Sequence, residues 1–242
     1  MSAMVRQSRY LLMVATGCAL IAMLGWGAVA QAADLDDAFA APGTDVGTVT
    51  WIDEWRHRQA SEEYRLQECL DDLAACDADW LTWRKVVLEG QSLPREAQIA
   101  LANAFGNRVR YVSAQRMPAR RIASVAEALA GLHYRCLDVA AMKVDLLTRL
   151  GWDPADLRLA VVQEAGYADD HAVAVVRHEG RVVILDHAAP PRSAGSLERE
   201  GRTYRLAATI HPETWSVRAF APLEKRAAAR ASRLAATLND GE

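Results

Sequence analysis

Apolar residues recur with a helical period through the first two thirds of the chain, then give way to short runs that are apolar on both faces. From Trp51 to Cys69 the pattern is helical but polar. A firmer helix is predicted with Asp79 as N-cap, Trp80, Trp83 and Val87 on one stripe, and Gly90 as its stop. That stripe reads as core rather than as a platform for a ligand. A further helix opens at Pro94, a favourable first-turn residue, and turns Ile99, Ala102 and Phe105 inward. Val109 to Ser113 is a short strand candidate. Ser124-Val125-Ala126-Glu127 has the form of a capping box and opens a short helix that Gly131 closes. A buried helix is then predicted from Cys136 to Leu150, with Ala140, Val144, Leu147 and Leu150 at helical spacing and Gly151 behind it.

After the Asp153-Pro154 turn come three strand candidates, Leu157 to Gln163, His171 to Arg177 and Arg181 to Asp186. The last two flank His178-Glu179-Gly180, a hairpin signal. Val173 and Val175 alternate with Ala172, Ala174 and Val176, so this pair should be buried on both sides. Tyr204 to Ile210, and a piece near Trp215 to Phe220, would extend the sheet. Helices first and a mostly antiparallel sheet after them define an α+β fold, with the N-terminal helices packed on the sheet.

The formal charge of −3 gives no bulk electrostatic case for a nucleic-acid partner. At the N-terminus, Arg6 and Arg9 precede an uncharged apolar run that reaches Ala30 and ends in two overlapping A-x-A patterns, Ala28-Val29-Ala30 and Ala30-Gln31-Ala32. Residues 1–32 therefore read as a cleaved secretory signal peptide and the destination as the periplasm. An uncleaved inner-membrane anchor is the other reading, since roughly 20 apolar residues span a bilayer. Residues 33–222 form the expected single domain. Residues 223–242, rich in Ala and Arg, form a helical or disordered tail.

Cleavage removes Cys18 and leaves Cys69, Cys76 and Cys136, an odd number for an oxidising compartment. The economical arrangement is a local disulfide, Cys69–Cys76, with Cys136 as a free thiol. Residues seven apart on one helix are separated by about 10.5 Å, beyond the roughly 7 Å that a disulfide tolerates, so this pairing needs a helix break near Ala74–Asp77. A free Cys136 is either an inert buried thiol or a functional one. Its place at a helix N-terminus, behind Arg135, favours a thiolate, and the backbone N–H there is available to an oxyanion.

His171 opens one strand and Asp186 ends its hairpin partner. With a two-residue loop at Glu179-Gly180, Ala188 faces His171 and Asp186 is a diagonal neighbour on the same face. A four-residue loop would set Asp186 directly opposite, and a three-residue loop would turn it to the other face. Two of the three registers thus give a base with an orienting carboxylate, and Cys136 supplies the nucleophile of a triad. A zinc site built from His133, Cys136, His171 and Asp186 lacks the usual ligand spacing. His178 reads as a solvated turn residue, and His187 either touches the site or is a polar strand end.

These pieces resemble the bacterial transglutaminase-like cysteine peptidases, of which the LapG-like periplasmic proteases form a branch. The matching segments are Trp83-Arg84, Asn103 through Arg110-Tyr111-Val112-Ser113, Cys136-Leu137-Asp138-Val139-Ala140, Asp170-His171-Ala172-Val173 and Val183-Ile184-Leu185-Asp186. Together they cover roughly residues 65–220. The Cys69 and Cys76 pair is also similar to one in family members. The resemblance implies a papain/transglutaminase-like fold, a Cys136-His171-Asp186 triad without a cofactor, a protein substrate such as a surface adhesin, and an inner-membrane receptor as regulator. Family members carry acidic residues on both sides of the nucleophile, and in the adhesin-releasing branch carboxylates of this segment bind a regulatory calcium. Here Arg135 and Leu137 replace two of them, so no metal is expected. Two other outcomes stay open: an amidase or acyltransferase using the same triad, and a binding module that kept the fold without its chemistry.

Overall fold

The computed structural model describes residues 33–39, 44–47, 50–109, 123, 125–129, 135–164, 170–187, 189–200, 204–214 and 216–219. The expected leader and tail, residues 110–113 of the first strand candidate, Ser124, Gly131 and His133 lie outside them.

Helix α1 spans Thr50–Asp71. It stops because Asp72 adopts an extended backbone and its carboxylate accepts the Ala74 N–H at 2.9 Å, starting a tight turn over Leu73–Ala75. The turn brings the Cα atoms of Cys69 and Cys76 to 4.7 Å, and the two are joined as a disulfide. Helix α2 spans Ala78–Gln91 and starts earlier than expected. Its N-cap is Asp77, whose carboxylate accepts the Trp80 N–H at 3.1 Å, because the chain leaves the disulfide turn in an extended conformation there. Gly90 does not stop this helix. It lies inside it as a contact point, where a Cβ would come within 2.6 Å of Leu150. Helix α3, Arg95–Gly106, is capped by Pro94 rather than containing it, and buries Ile99, Ala102 and Phe105 as expected. The short helix α4 (Val125–Leu129) and the long helix α5 (Cys136–Arg149) complete this layer. Trp80, Trp83 and Val87 are core residues, with the Trp83 ring 5.3 Å from Phe105.

Among the described residues, eight strands make one antiparallel sheet: β1 (Ala33–Asp34), β2 (Thr44–Gly47), β3 (Leu157–Glu164), β4 (Asp170–His178), β5 (Arg181–Leu185), β6 (Arg192–Ser193), β7 (Tyr204–Ile210) and β8 (Val217–Ala219). The order is β2-β8-β7-β3-β4-β5-β6, and β1 pairs with β7. One face, with Leu157, Leu159, Ala174, Val176 and Leu185, packs on the helices. The other, with Ala160, Val162, Val173, Val175 and Ile184, is covered by the turn at Leu35–Phe39 and by Leu197 of helix α6 (Ala194–Arg199). The central strands are thus buried on both sides, as their unbroken apolar runs require.

Mass mapping without reduction should recover Cys69 linked to Cys76 and Cys136 as a free thiol. The double variant Cys69→Ser, Cys76→Ser should lose about 2–3 kcal/mol in urea denaturation, the value expected for closing so short a loop.

Candidate active site

The hairpin of β4 and β5 turns at Glu179 and Gly180, both with positive φ (50° and 72°), which makes a two-residue turn that follows the sheet twist. His178 pairs with Arg181 and the ladder ends at Ala174 opposite Leu185. In this register Asp186 falls on the face of His171, and the His171 Nε2 to Asp186 Oδ1 distance is 2.6 Å. His171 also shares a cross-strand row with Val162 of β3 and Leu206 of β7.

Asp186 is buried, and burial alone would raise its carboxyl pKa. Hydrogen bonds from His171, from His187 and from Tyr204, with the His171 charge, outweigh burial and hold the carboxyl well below the usual range. The His187 backbone N–H donates to Oδ1 at 2.7 Å and the Tyr204 hydroxyl to Oδ2 at 2.8 Å. Tyr204 reaches it because it lies two residues before Leu206, on the face of the His171 row. For His171, burial opposes the charged ring, but hydrogen bonds and charges from Asp186 and Cys136 prevail and raise its pKa to about 9. Since Nε2 is taken by Asp186, Nδ1 is the ring nitrogen left for the Cys136 side chain.

Cys136 is the first residue of α5, half-buried and not in a disulfide. The helix entry is held by Asp138, whose Oδ2 accepts the Arg135 N–H at 2.9 Å and whose Oδ1 accepts the Ala123 N–H at 2.7 Å. An α-helix leaves its first N–H groups without partners of its own, so the Cys136 N–H points out of the helix end. Cys136, His171 and Asp186 are therefore brought together from α5, β4 and the end of β5.

Sequence reasoning missed several neighbours. Lys143, fully buried on α5, donates to Asn103 Oδ1 at 2.9 Å, the Leu185 carbonyl at 3.3 Å and the Asp186 carbonyl at 2.8 Å. Burial lowers its pKa to about 7, against the Asp186 charge, which raises it. A lysine between Met142 and Val144 in an apolar helix was the available signal. Tyr204 carried a weaker one, a hydroxyl at an inward position of an apolar strand. Of the two readings of His187, contact with the site is the one found: its ring centroid lies 5.3 Å from that of His171. His178 is not a solvated turn residue but ends β4 against Trp152 and Glu96.

No family model matches the chain, and no curated protein does. Solved structures do. Legionella pneumophila LapG matches with a TM-score of 0.53 at 16% identity, over 64% of this chain and 87% of LapG. The fold is that of LapG. An EGTA-treated LapG structure matches with a TM-score of 0.51, and a calcium-bound one with 0.50 at 18% identity, over 71% of this chain and 98% of LapG.

The segment around Cys136 does not suit the calcium that LapG can carry. Both Asp138 oxygens accept backbone N–H groups, Arg135 Nε stands 3.5 Å from Oδ2, and Leu137 offers no side-chain oxygen. His171, Asp186 and His187 present ligand-type atoms within 4.8 Å of one another, but the Asp186 oxygens already accept from His171, His187 and Tyr204.

Two measurements follow from this site. Calorimetry should detect no micromolar calcium binding, and a binding isotherm abolished by Asp138→Ala would contradict the assignment. The second reads His171 through stability. Its folded value is raised, so its contribution is complete below pH 6.5 and is lost as pH rises through about 9. Lys143, whose value is lowered, changes stability in the opposite sense above about pH 7. The difference between wild type and His171→Gln isolates the histidine, and this gap should be widest at pH 6 and close towards pH 10.

Proposed function

We propose that this protein is a cysteine peptidase acting in the periplasm through Cys136, His171 and Asp186. One observation carries the reading: a single imidazole hydrogen-bonded to a buried carboxylate, with a thiol outside any disulfide at a helix N-terminus beside it. A histidine raised to about 9 is cationic at neutral pH, which gives the ring a proton to pass to a leaving amine. The LapG fold is the context in which the sequence resemblance expects that arrangement.

In the proposed reaction the Cys136 sulfur attacks the substrate carbonyl carbon, and the carbonyl electron pair moves onto oxygen, stabilised by the Cys136 N–H. The imidazolium transfers its proton to the leaving amine as the C–N bond breaks, leaving a thioester. Neutral His171 then takes a proton from water as the hydroxyl adds to the thioester carbon. Collapse releases the acid and restores the thiolate, with the proton on His171. Asp186 holds the ring tautomer throughout and stabilises its charge. A polypeptide substrate, a surface adhesin among them, and control by an inner-membrane receptor belong to this reading through the resemblance. Among the described residues, no helix is long and apolar enough to cross a membrane.

The test is covalent labelling of Cys136 by a peptidyl acyloxymethyl ketone, with cleavage of protein substrates followed by N-terminal sequencing. Cys136→Ala should abolish both labelling and cleavage. His171→Ala should slow labelling by about a hundredfold to ten-thousandfold, and Asp186→Asn should slow it less. A labelling rate that is the same in wild type and His171→Ala would leave a fold without the chemistry. Amine incorporation in place of new N-termini would assign acyl transfer instead.

A further inference from the structure

Asp186 stands one residue beyond the last ladder pair of β4 and β5, so sheet hydrogen bonding does not place it. The backbone around it is held from the helical layer instead. Lys143 takes the carbonyls of Leu185 and Asp186 on one side of the turn. Asn103 and Asn107, from the end of α3, donate their side-chain amides to the Ala189 carbonyl on the other side, at 2.6 and 3.3 Å. Asn103 joins the two halves, because its Oδ1 accepts from Lys143 while its Nδ2 serves Ala189. An ammonium has three N–H donors, and three oxygens meet it here. The lysine fits because position 106 is glycine: a Cβ there would lie 2.7 Å from Lys143 Cγ and Cε.

Burying an ammonium is costly, and an apolar residue of similar volume would pack the same space at less expense. A group kept against that cost at the backbone of a triad residue calls for a role beyond packing. We propose that Lys143, clamped by Asn103, is the positioning residue of the site: it fixes the turn that aims the Asp186 carboxylate at His171. The same helix then carries the nucleophile at its first residue and, about two turns on, the group that locates the carboxylate, so that both ends of the triad share one rigid element.

This inference rests on the peptidase reading for its meaning, but its measurement does not. The readout is the titration of His171 followed by NMR, together with alkylation of Cys136 by iodoacetamide at pH 7. In Lys143→Met, which keeps the volume and removes the donors, the Asp186 carboxylate loses its aim. The His171 titration should fall from about 9 towards the ordinary value of about 6.5. Alkylation should slow on the order of tenfold to a hundredfold. Gly106→Ala, which crowds the lysine without removing it, should shift both in the same direction by less, and it decides the matter if Lys143→Met does not fold. Val144→Ala, a neighbouring core truncation on α5, is the control: it should lower the melting temperature and leave the His171 titration in place. Wild-type titration in folded Lys143→Met or Gly106→Ala, or an equal shift in Val144→Ala, overturns the positioning role. Wild-type alkylation that does not depend on His171 overturns the peptidase reading and leaves the Lys143 result standing.

Discussion

The turn at Glu179 and Gly180 sets the parity of the hairpin, and the site depends on that parity. Side chains alternate across a strand, so one residue more or less in this loop would send Asp186 to the helical face and leave His171 without its carboxylate. The positive φ at both turn residues ties the loop to two residues. The apolar set on each face then opposes slippage, since Val173 and Val175 belong to one core and Ala174 and Val176 to the other.

Around this register the molecule satisfies its buried charges with directed donors. Two carboxylates, Asp138 and Asp186, lie deep in the structure, and each accepts from several groups. Asp138 gathers backbone N–H groups and so shapes the entry to helix α5. Asp186 gathers side-chain donors from β4 and β7 and so holds the imidazole of His171. The same chemistry, a carboxylate surrounded by N–H and O–H donors, does structural work in one place and electrostatic work in the other.

The sequence made the central elements legible because their signals are local. Helix α5, strands β3 to β5 and β7, and the Cys69–Cys76 turn follow from spacing, alternation and turn residues that a short window contains. The start of α2 was misplaced because Asp77 and Asp79 are equally good caps by type, and the disulfide turn chose between them. Asn103, Asn107, Lys143 and Tyr204 were missed for another reason. They meet at Asp186 and Ala189 from α3, α5 and β7, and nothing in their own neighbourhoods announces that meeting.

The two-residue strand β1 gives residues 33 and 34 a part in holding the site. Ala33 and Asp34 pair with Leu206 and Arg205, beside Tyr204, whose hydroxyl braces the Asp186 carboxylate. A chain cut after residue 32 would keep this two-residue strand whole. Trimming only slightly deeper would bare the β7 backbone next to that tyrosine. Residues 33 and 34 are therefore among the supports of the strand that braces Asp186, and a chain lacking them would hold that carboxylate less firmly.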